Sequence, residues 1–203
     1  TVMKPVRIMA VSGMLGYGFT EEAFRRGLDL GLDLIACDAG SADPGPYYLG
    51  NGSAFVSRLA TKRDLGLMVT AGIELGVPVF VGSAGGSGAD VQIDWTLDIL
   101  REICVEHHLT PSVAVLRSEI DKDTLRAKVR EGRTSPLGPI APLTEAEVDA
   151  AHRVVAMMGA EPYQQALEAG ADIVIAGRSS DAAIYAAIPV LLGADPGLAW
   201  HMG

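Results

Sequence analysis

The sequence predicts an α/β domain: a mainly parallel, open sheet with helices on both faces, in a Rossmann-like three-layer arrangement. Three observations predict it. Five short aliphatic runs recur along the chain, at Arg7–Val11, Leu34–Cys37, Val79–Val81, Val113–Leu116 and Ile173–Ala176. Each is compact and almost free of polar residues, as strands buried on both faces must be. Longer segments with helical spacing separate the runs, and such alternation favours parallel strands joined by crossover helices. Gly31, Gly76 and Gly170 stand between a helical segment and the next strand, where a left-handed helix cap is commonly required.

Taken in order, the opening TVMKPVRIMAVSG is expected to be the first strand, with no h-region that would make it a leader. Glu21–Leu30 follows as a helix: Thr20 offers a capping hydroxyl, and Glu21 and Glu22 meet the positive end of the dipole. A long helical pattern covers Ala54–Leu75, and others cover Val91–His107, Lys122–Glu131, Glu145–Met158, Tyr163–Glu168 and Asp181–Leu192. LGLDLIACDAG and AGADIVIAGRSS share the rhythm Gly-x-Asp-aliphatic, which reads as one helix-to-strand turn used twice. Residues 133–143, RTSPLGPIAPL, hold three prolines and form an extended connector inside a single domain spanning 1–203.

Composition narrows the function. The chain has 203 residues, 49% hydrophobic and 20% charged, with a net charge of -9 at pH 7; this suits one generous domain with a real core. An acidic balance opposes a nucleic-acid or anionic-membrane surface, which needs an excess of Lys and Arg. No apolar run reaches membrane-spanning length. Cys37 and Cys104 lie far apart, so a disulfide framework is not expected and a reducing cytoplasm is. The four histidines fall in no ligand pattern, and no metal site is read from them.

In an open parallel sheet, ligands gather beyond the carboxyl ends of the strands. Each strand here is followed by an unusual loop. CDAGSADPGPYYLG, residues 37–50, is too polar for a strand and too rich in Gly and Pro for a helix, so it is read as a stiff acidic loop bearing Asp38, Ser41, Asp43, Tyr47 and Tyr48. GSAGGSGAD places Ser83, Gly85, Gly86, Ser87 and Gly88 before a helix at Asp90. It is either an anion cradle of glycine backbone, hydroxyls and helix N–H groups, or a tight strand-to-helix turn capped by Asp90. It lacks the Gly-Lys-Ser/Thr ending of a nucleotide-hydrolysing loop. The first loop, with Gly13, Gly16 and Gly18, imitates a dinucleotide fingerprint without its spacing.

In GRSSDAA, Arg178 can hold a carboxylate or phosphate, beside Ser179 and Asp181; alternatively it pairs with a rim acid such as Asp38, while Ser180 or Asp181 caps the helix. Arg117 is a second anion partner. Glu119 is a candidate base or a solvated loop acid. Asp38, Asp43 and Glu119 are the candidate catalytic carboxylates, since clustered acids raise one another's pKa or bind a divalent cation. Asp38 stands out: directly behind a buried strand, an idle carboxylate is costly. Met14, Met157 and Met158 read as core filler. No Gly-x-Ser-x-Gly elbow is present, which disfavours a serine hydrolase.

With these segments in view, the chain resembles the acyclic terpene utilisation AtuA family. The resemblance rests on SGMLGYGF at 12–19, CDAGSADPGPYYLG at 37–50, GSAGGSGAD at 82–90 and AGRSSDAAIYAAIPVLLGAD at 176–195, and is expected to cover essentially the whole chain. It implies the N-terminal part of a longer chain and a link to breakdown of citronellol-like terpenes, whose intermediates are acyl-CoA thioesters. It assigns no catalytic residue. The preferred reading is a cytoplasmic catabolic enzyme or enzyme subunit acting on a small carboxylate or acyl-CoA, its anion held by Gly13, Gly16, Ser41, the Ser83–Gly88 loop and Arg178. The alternatives are a non-catalytic binding or assembly subunit and an NAD-type oxidoreductase. The expected partners are a small anionic molecule and either further copies of the chain or the remainder of a longer one. A CoA thioester and a divalent cation are the candidate cofactors.

Overall fold

The computed structural model describes residues 4–40 and 46–203. Five parallel strands form the sheet: β1 (Ile8–Ala10), β2 (Leu34–Asp38), β3 (Val79–Gly82), β4 (Val113–Leu116) and β5 (Ile173–Ala176), in spatial order β1-β2-β3-β5-β4. Helices α1 (Glu21–Leu28), α3 (Arg58–Leu75) and α4 (Asp90–Glu106) cover one face; α7 (Glu161–Glu168) and α8 (Ala183–Leu191) cover the other. The division follows from the strand order. Crossovers from β1 through β3 to β4 advance across the sheet, whereas β4 returns to β5, and right-handed connections put those two directions on opposite faces.

Alternate side chains of the central strands serve the two cores. Ile35, Cys37, Val79, Val81, Ile173 and Ile175 face α1, α3 and α4, while Leu34, Ala36, Phe80, Val174 and Ala176 face α7 and α8. Double-sided burial holds for β2, β3 and β5 but not for the edges. Ala10 on β1 is exposed and Ile8 is half-buried, and Val113 and Val115 on β4 are exposed, because each edge strand extends past the helices on one face.

The repeated turn is real. Gly31 and Gly170 both take positive φ, 73° and 84°. Asp33 then accepts the Arg7 N–H at 2.8 Å, and Asp172 accepts the Ser112 N–H at 2.7 Å. In both cases a carboxylate at the mouth of one strand ties down the start of its neighbour.

Three readings of the sequence change. The polar loop behind β2 becomes helical at its far end, as α2 (Pro46–Asn51), because proline suits the first position of a helix, where no N–H bond is lost. Tyr48 packs edge-on against Phe55 with ring centroids 5.1 Å apart. The helix expected over Glu145–Met158 stops early, as α6 (Glu145–Ala150). Beyond it, residues 154–158 run extended and lace two loops together: Ile120 and Ala156 N–H groups bond Val154 and Ser118 carbonyls at 2.8 and 2.7 Å, and Met158 pairs with Ser179. Val154 and Val155 suit an extended strand better than a helix, and Met157, expected in the core, is exposed. The last helix, α9 (Pro196–Met202), carries a start signal the sequence reading passed over: Asp195 accepts the Leu198 N–H at 2.8 Å and proline follows it.

The Pro-rich connector lies between α5 (Lys122–Arg130) and α6, with Leu137 and Ile140 exposed. Among the described residues, no helix is long and apolar enough to cross a membrane.

Candidate functional site

The carboxyl ends of β1, β2, β3 and β5 converge, and the loops leaving them interlock. Ser83, at the end of β3, is fully buried and left-handed, with φ of 48°, a conformation costly for a residue with a Cβ. Its hydroxyl accepts the Ser179 N–H at 3.3 Å and a bond from the Arg178 guanidinium at 3.4 Å. Ser179 in turn shares a 2.7 Å bond with the Tyr163 hydroxyl. One buried polar network thus joins the loops behind β3 and β5 directly beneath Asp38.

Close approach explains most glycines of the Gly-rich loop. A Cβ on Gly88 would stand 2.1 Å from the Arg178 nitrogen, and one on Gly85 would meet the Gln92 side chain at 2.6 Å. One on Gly86 would meet the Phe55 Cβ at 2.9 Å, and one on Gly40 the Ser83 Cβ at 2.3 Å. These glycines approach other parts of the chain, so the loop forms a tight junction. Helix α4 is also closed at its start. Glu119 accepts the Asp90 N–H at 2.9 Å, and the buried Gln92 amide oxygen accepts the Ala89 N–H at 3.0 Å. Glu119 therefore works as a helix cap borrowed from the β4 loop, while Arg117 turns outward to Asp94 at 2.6 Å and Asp90 at 3.4 Å.

The first loop is fastened by a residue the sequence reading missed. Asp64 of α3 is buried, and one oxygen accepts the Gly16 and Gly18 N–H groups at 3.0 and 2.9 Å; the other is paired with Arg63 at 2.7 Å. Those amides are therefore not free to hold a phosphate. A carboxylate already occupies them.

The open space lies beside this knot. A cavity of about 1260 Å³ has a polar end at the strand termini, formed by Ser12, Asp38, Gly40, Asp181 and Tyr185. Gly13 stands at its rim, with nothing within 4 Å of where a Cβ would sit. From there it continues under the uncovered face of β1 toward α8 and α9, along apolar walls.

Asp38 dominates the electrostatics of the polar end. It is 8% exposed, and burial pushes its pKa up from 3.8 to about 6. The Asp181 charge raises it further, while the Gly40 N–H, the Arg178 charge and the Ser83 hydroxyl pull it back. The Tyr185 hydroxyl is held protonated by burial, with the neighbouring Cys37 and Asp38 adding to the effect. Cys37 is buried against Ser12 and pushed up to about 12, which removes it as a thiolate nucleophile at neutral pH.

Of the expected site residues, Asp38, Gly13 and Asp181 line the cavity, and Ser83, Arg178 and Ser179 lie in the network behind it. Gly16, Gly85, Gly86, Gly88 and Glu119 take the bonds and contacts given above, and Ser87 is half-buried between Gly86 and Gly88. Ser41 and Asp43 fall outside the described residues. Asp181 precedes α8, whose cap is Ala182 with no side-chain bond; the Ala183 N–H goes instead to the Ser180 carbonyl at 2.9 Å. The expected cap at Ser180 or Asp181 is thus replaced by a backbone turn, and the Asp181 carboxylate faces the cavity. Among the described residues, no group of three or more His, Cys, Asp or Glu is arranged to hold a metal ion.

Comparison with curated proteins and with solved structures returns no match. One family model does match, described as the acyclic terpene utilisation family protein AtuA, over residues 83–191. The match begins at the buried Ser83 and runs through β5 and α8, so it contains the interlocked loops behind β3 and β5 and one wall of the cavity. The first two of the four segments that carry the sequence resemblance, 12–19 and 37–50, lie before it. The matched residues make up more than half of the chain, which belongs to the acyclic terpene utilisation AtuA family.

Proposed function

We propose that the protein is a catabolic enzyme, or enzyme subunit, of terpene breakdown that moves a proton on an acyl substrate, with Asp38 as the proton-transfer group. The observation that carries this reading is a buried carboxyl at the polar end of a large, otherwise apolar cavity, facing a second carboxyl. Near its pKa, such a group is populated in both protonation states and serves as base and then as acid. The Tyr185 hydroxyl, kept protonated, supplies a hydrogen bond to a carbonyl oxygen in the same space.

Among the described residues no Lys or Arg lines the cavity, and two carboxylates do. A free carboxylate is poorly matched to that end, whereas the neutral carbonyl of a thioester is well matched. The reading therefore favours an acyl-CoA over the free acid. In the proposed step, the Asp38 carboxylate takes a proton from the carbon next to the carbonyl; the C–H electron pair moves toward the carbonyl oxygen, which Tyr185 steadies. Return of the proton to carbon completes the cycle.

The test is exchange of that proton with deuterated water, followed by NMR on isovaleryl-CoA. Asp38→Asn is expected to slow exchange by roughly 10²-fold or more, with the fold intact. Exchange at the wild-type rate in Asp38→Asn overturns the reading.

A second reading, an assembly subunit, is favoured by the outer side of β4, where Val113 and Val115 are 37% and 38% exposed. A concentration-dependent oligomer in sedimentation, weakened by Val115→Glu, supports it; a monomer at all concentrations rejects it. The Asp64 bonds to the Gly16 and Gly18 amides weigh against the dinucleotide reading.

A further inference from the structure

The cavity is far larger than the cluster at Asp38 requires, and its shape is directional. β1 lies at the edge of the sheet, and α8 packs over β2 and β3. The β1 face on the α8 side is consequently left as a floor, with Val6, Ile8 and Ala10 along it. Pro189 of α8 and Leu198 and Met202 of α9 form the opposite wall. Leu198 and Met202, 59% and 76% exposed, continue the apolar lining of the trough, and it is the contiguous apolar surface that marks a binding groove. At about 3.3 Å per strand residue, the stretch from Val6 to Ser12 is on the order of 20 Å long. Every residue of that floor before Ser12 is apolar, and the polar groups gather at one end.

We propose that this trough binds the aliphatic tail of an elongated ligand, with the uncharged polar head at Asp38 and the tail along β1, and that Val6 and Leu198, at the end away from Asp38, set the chain length accepted. The proposal rests on the cavity being the reaction site, and it adds which part of the substrate the protein measures. Two features single out this occupant. The apolar trough is continuous with the carboxyl pair, as a single amphiphile requires. The polar end carries two acids and no cation among the described residues, which disfavours a fatty acid anion and accepts a hydroxyl or a thioester carbonyl. Val6 lies six residues before Ser12, at the far end of the floor, so enlarging it shortens the trough without reaching the polar end.

The experiment uses straight-chain alcohols from butanol to dodecanol as probes, with matched carboxylates, read by calorimetric titration. Affinity for the alcohols is expected to rise by roughly fourfold per methylene until the trough is full, with each alcohol ahead of its carboxylate at neutral pH. Val6→Trp is expected to weaken the longest alcohols at least tenfold and to leave butanol unchanged. Leu198→Glu, on an exposed position of α9, should act in the same direction and serves if Val6→Trp fails to fold. Absence of length dependence, or carboxylates binding ahead of alcohols, overturns the proposal. So does a dimer that both variants dissociate, which would assign the trough to a second copy of the chain. Asp38→Asn separates this proposal from the one beneath it. Retained length dependence with wild-type proton exchange sinks only the acid–base role, and lost exchange in a protein blind to chain length sinks only the tail site.

Discussion

Replacing Asp38 with asparagine should make the protein more stable at neutral pH, and the structure gives the size of the gain. In the unfolded chain the carboxyl ionises at its ordinary value, 3.8, whereas in the fold it holds its proton up to about 6. Below about pH 4 both states are protonated and the group costs nothing. As pH rises, the unfolded chain ionises first, so folding stability falls through that window and levels off above pH 6. Burial of the charge is the main cause, with Asp181 adding to it. The full deficit at higher pH is about 3 kcal/mol as an upper bound. An amide of the same shape carries no charge to desolvate and keeps an acceptor for the Gly40 N–H.

The expected gain in Asp38→Asn is therefore ~1–3 kcal/mol near pH 8. For a chain of this size that corresponds to about 2–12 °C in Tm. The difference should close as pH is lowered toward about 4. Thermal unfolding of both proteins across that range, with denaturant melts at the two ends, measures it. Had Asp38 a structural role, held ionised by its hydrogen bonds, the same change would instead cost about 1.5–3 kcal/mol. A destabilised Asp38→Asn, or a gap that does not change with pH, refutes the reasoning. A stabilising substitution that also abolishes proton exchange would mark a group kept for function at the expense of the fold.

The other predictions concern the frame that holds the cavity open. Asp64→Ala strips the acceptor from two glycine amides, while Arg63 keeps its bond to the Phe19 carbonyl, so urea melts should show a loss of about 2–4 kcal/mol; a change below about 1 kcal/mol would mean the first loop is held by something else. Gly88→Ala should prevent soluble expression or cost more than about 4 kcal/mol, because the new methyl would collide with the Arg178 backbone at a positive φ of 71°. Gly13→Ala, in open space at the cavity rim, should stay within about 1 kcal/mol of wild type by the same assay. Glu119→Ala should lower stability by about 1–2 kcal/mol as a lost cap, with proton exchange preserved; loss of exchange without loss of stability would restore Glu119 as a catalytic base.

The layered architecture was legible because it depends on short-range patterns. Aliphatic runs, the paired Gly-x-Asp turns and the Thr20 cap each have one cheap structural solution, and the fold adopts it. Asp38 stood out for the same reason: a carboxylate at the end of a buried strand has few explanations. What stayed hidden was relational. Nothing in LATKRDLGL announces that Asp64 will reach back to Gly16 and Gly18, since the two segments are 46 to 48 residues apart. Nothing in GSAGGSGAD distinguishes glycines that admit a ligand from glycines that admit another loop. Only the positions of Arg178, Gln92 and Phe55 decide that question.

The same distinction separates the frame from the cavity. A loop whose glycines face open space invites a ligand, and a loop whose glycines face backbone fixes geometry. By that measure the Gly-rich loop behind β3 is the rigid part of the site. It braces the β5 loop through Ser83 and Ser118, and it holds Asp38 against a network that no water needs to enter. The open part is on the other side of Asp38, beneath β1, where strand order leaves one face of the edge strand without a helix across it. A rigid, desolvating back wall and an accessible apolar front are what a buried acid needs if it is to exchange protons with a bound substrate and not with bulk water.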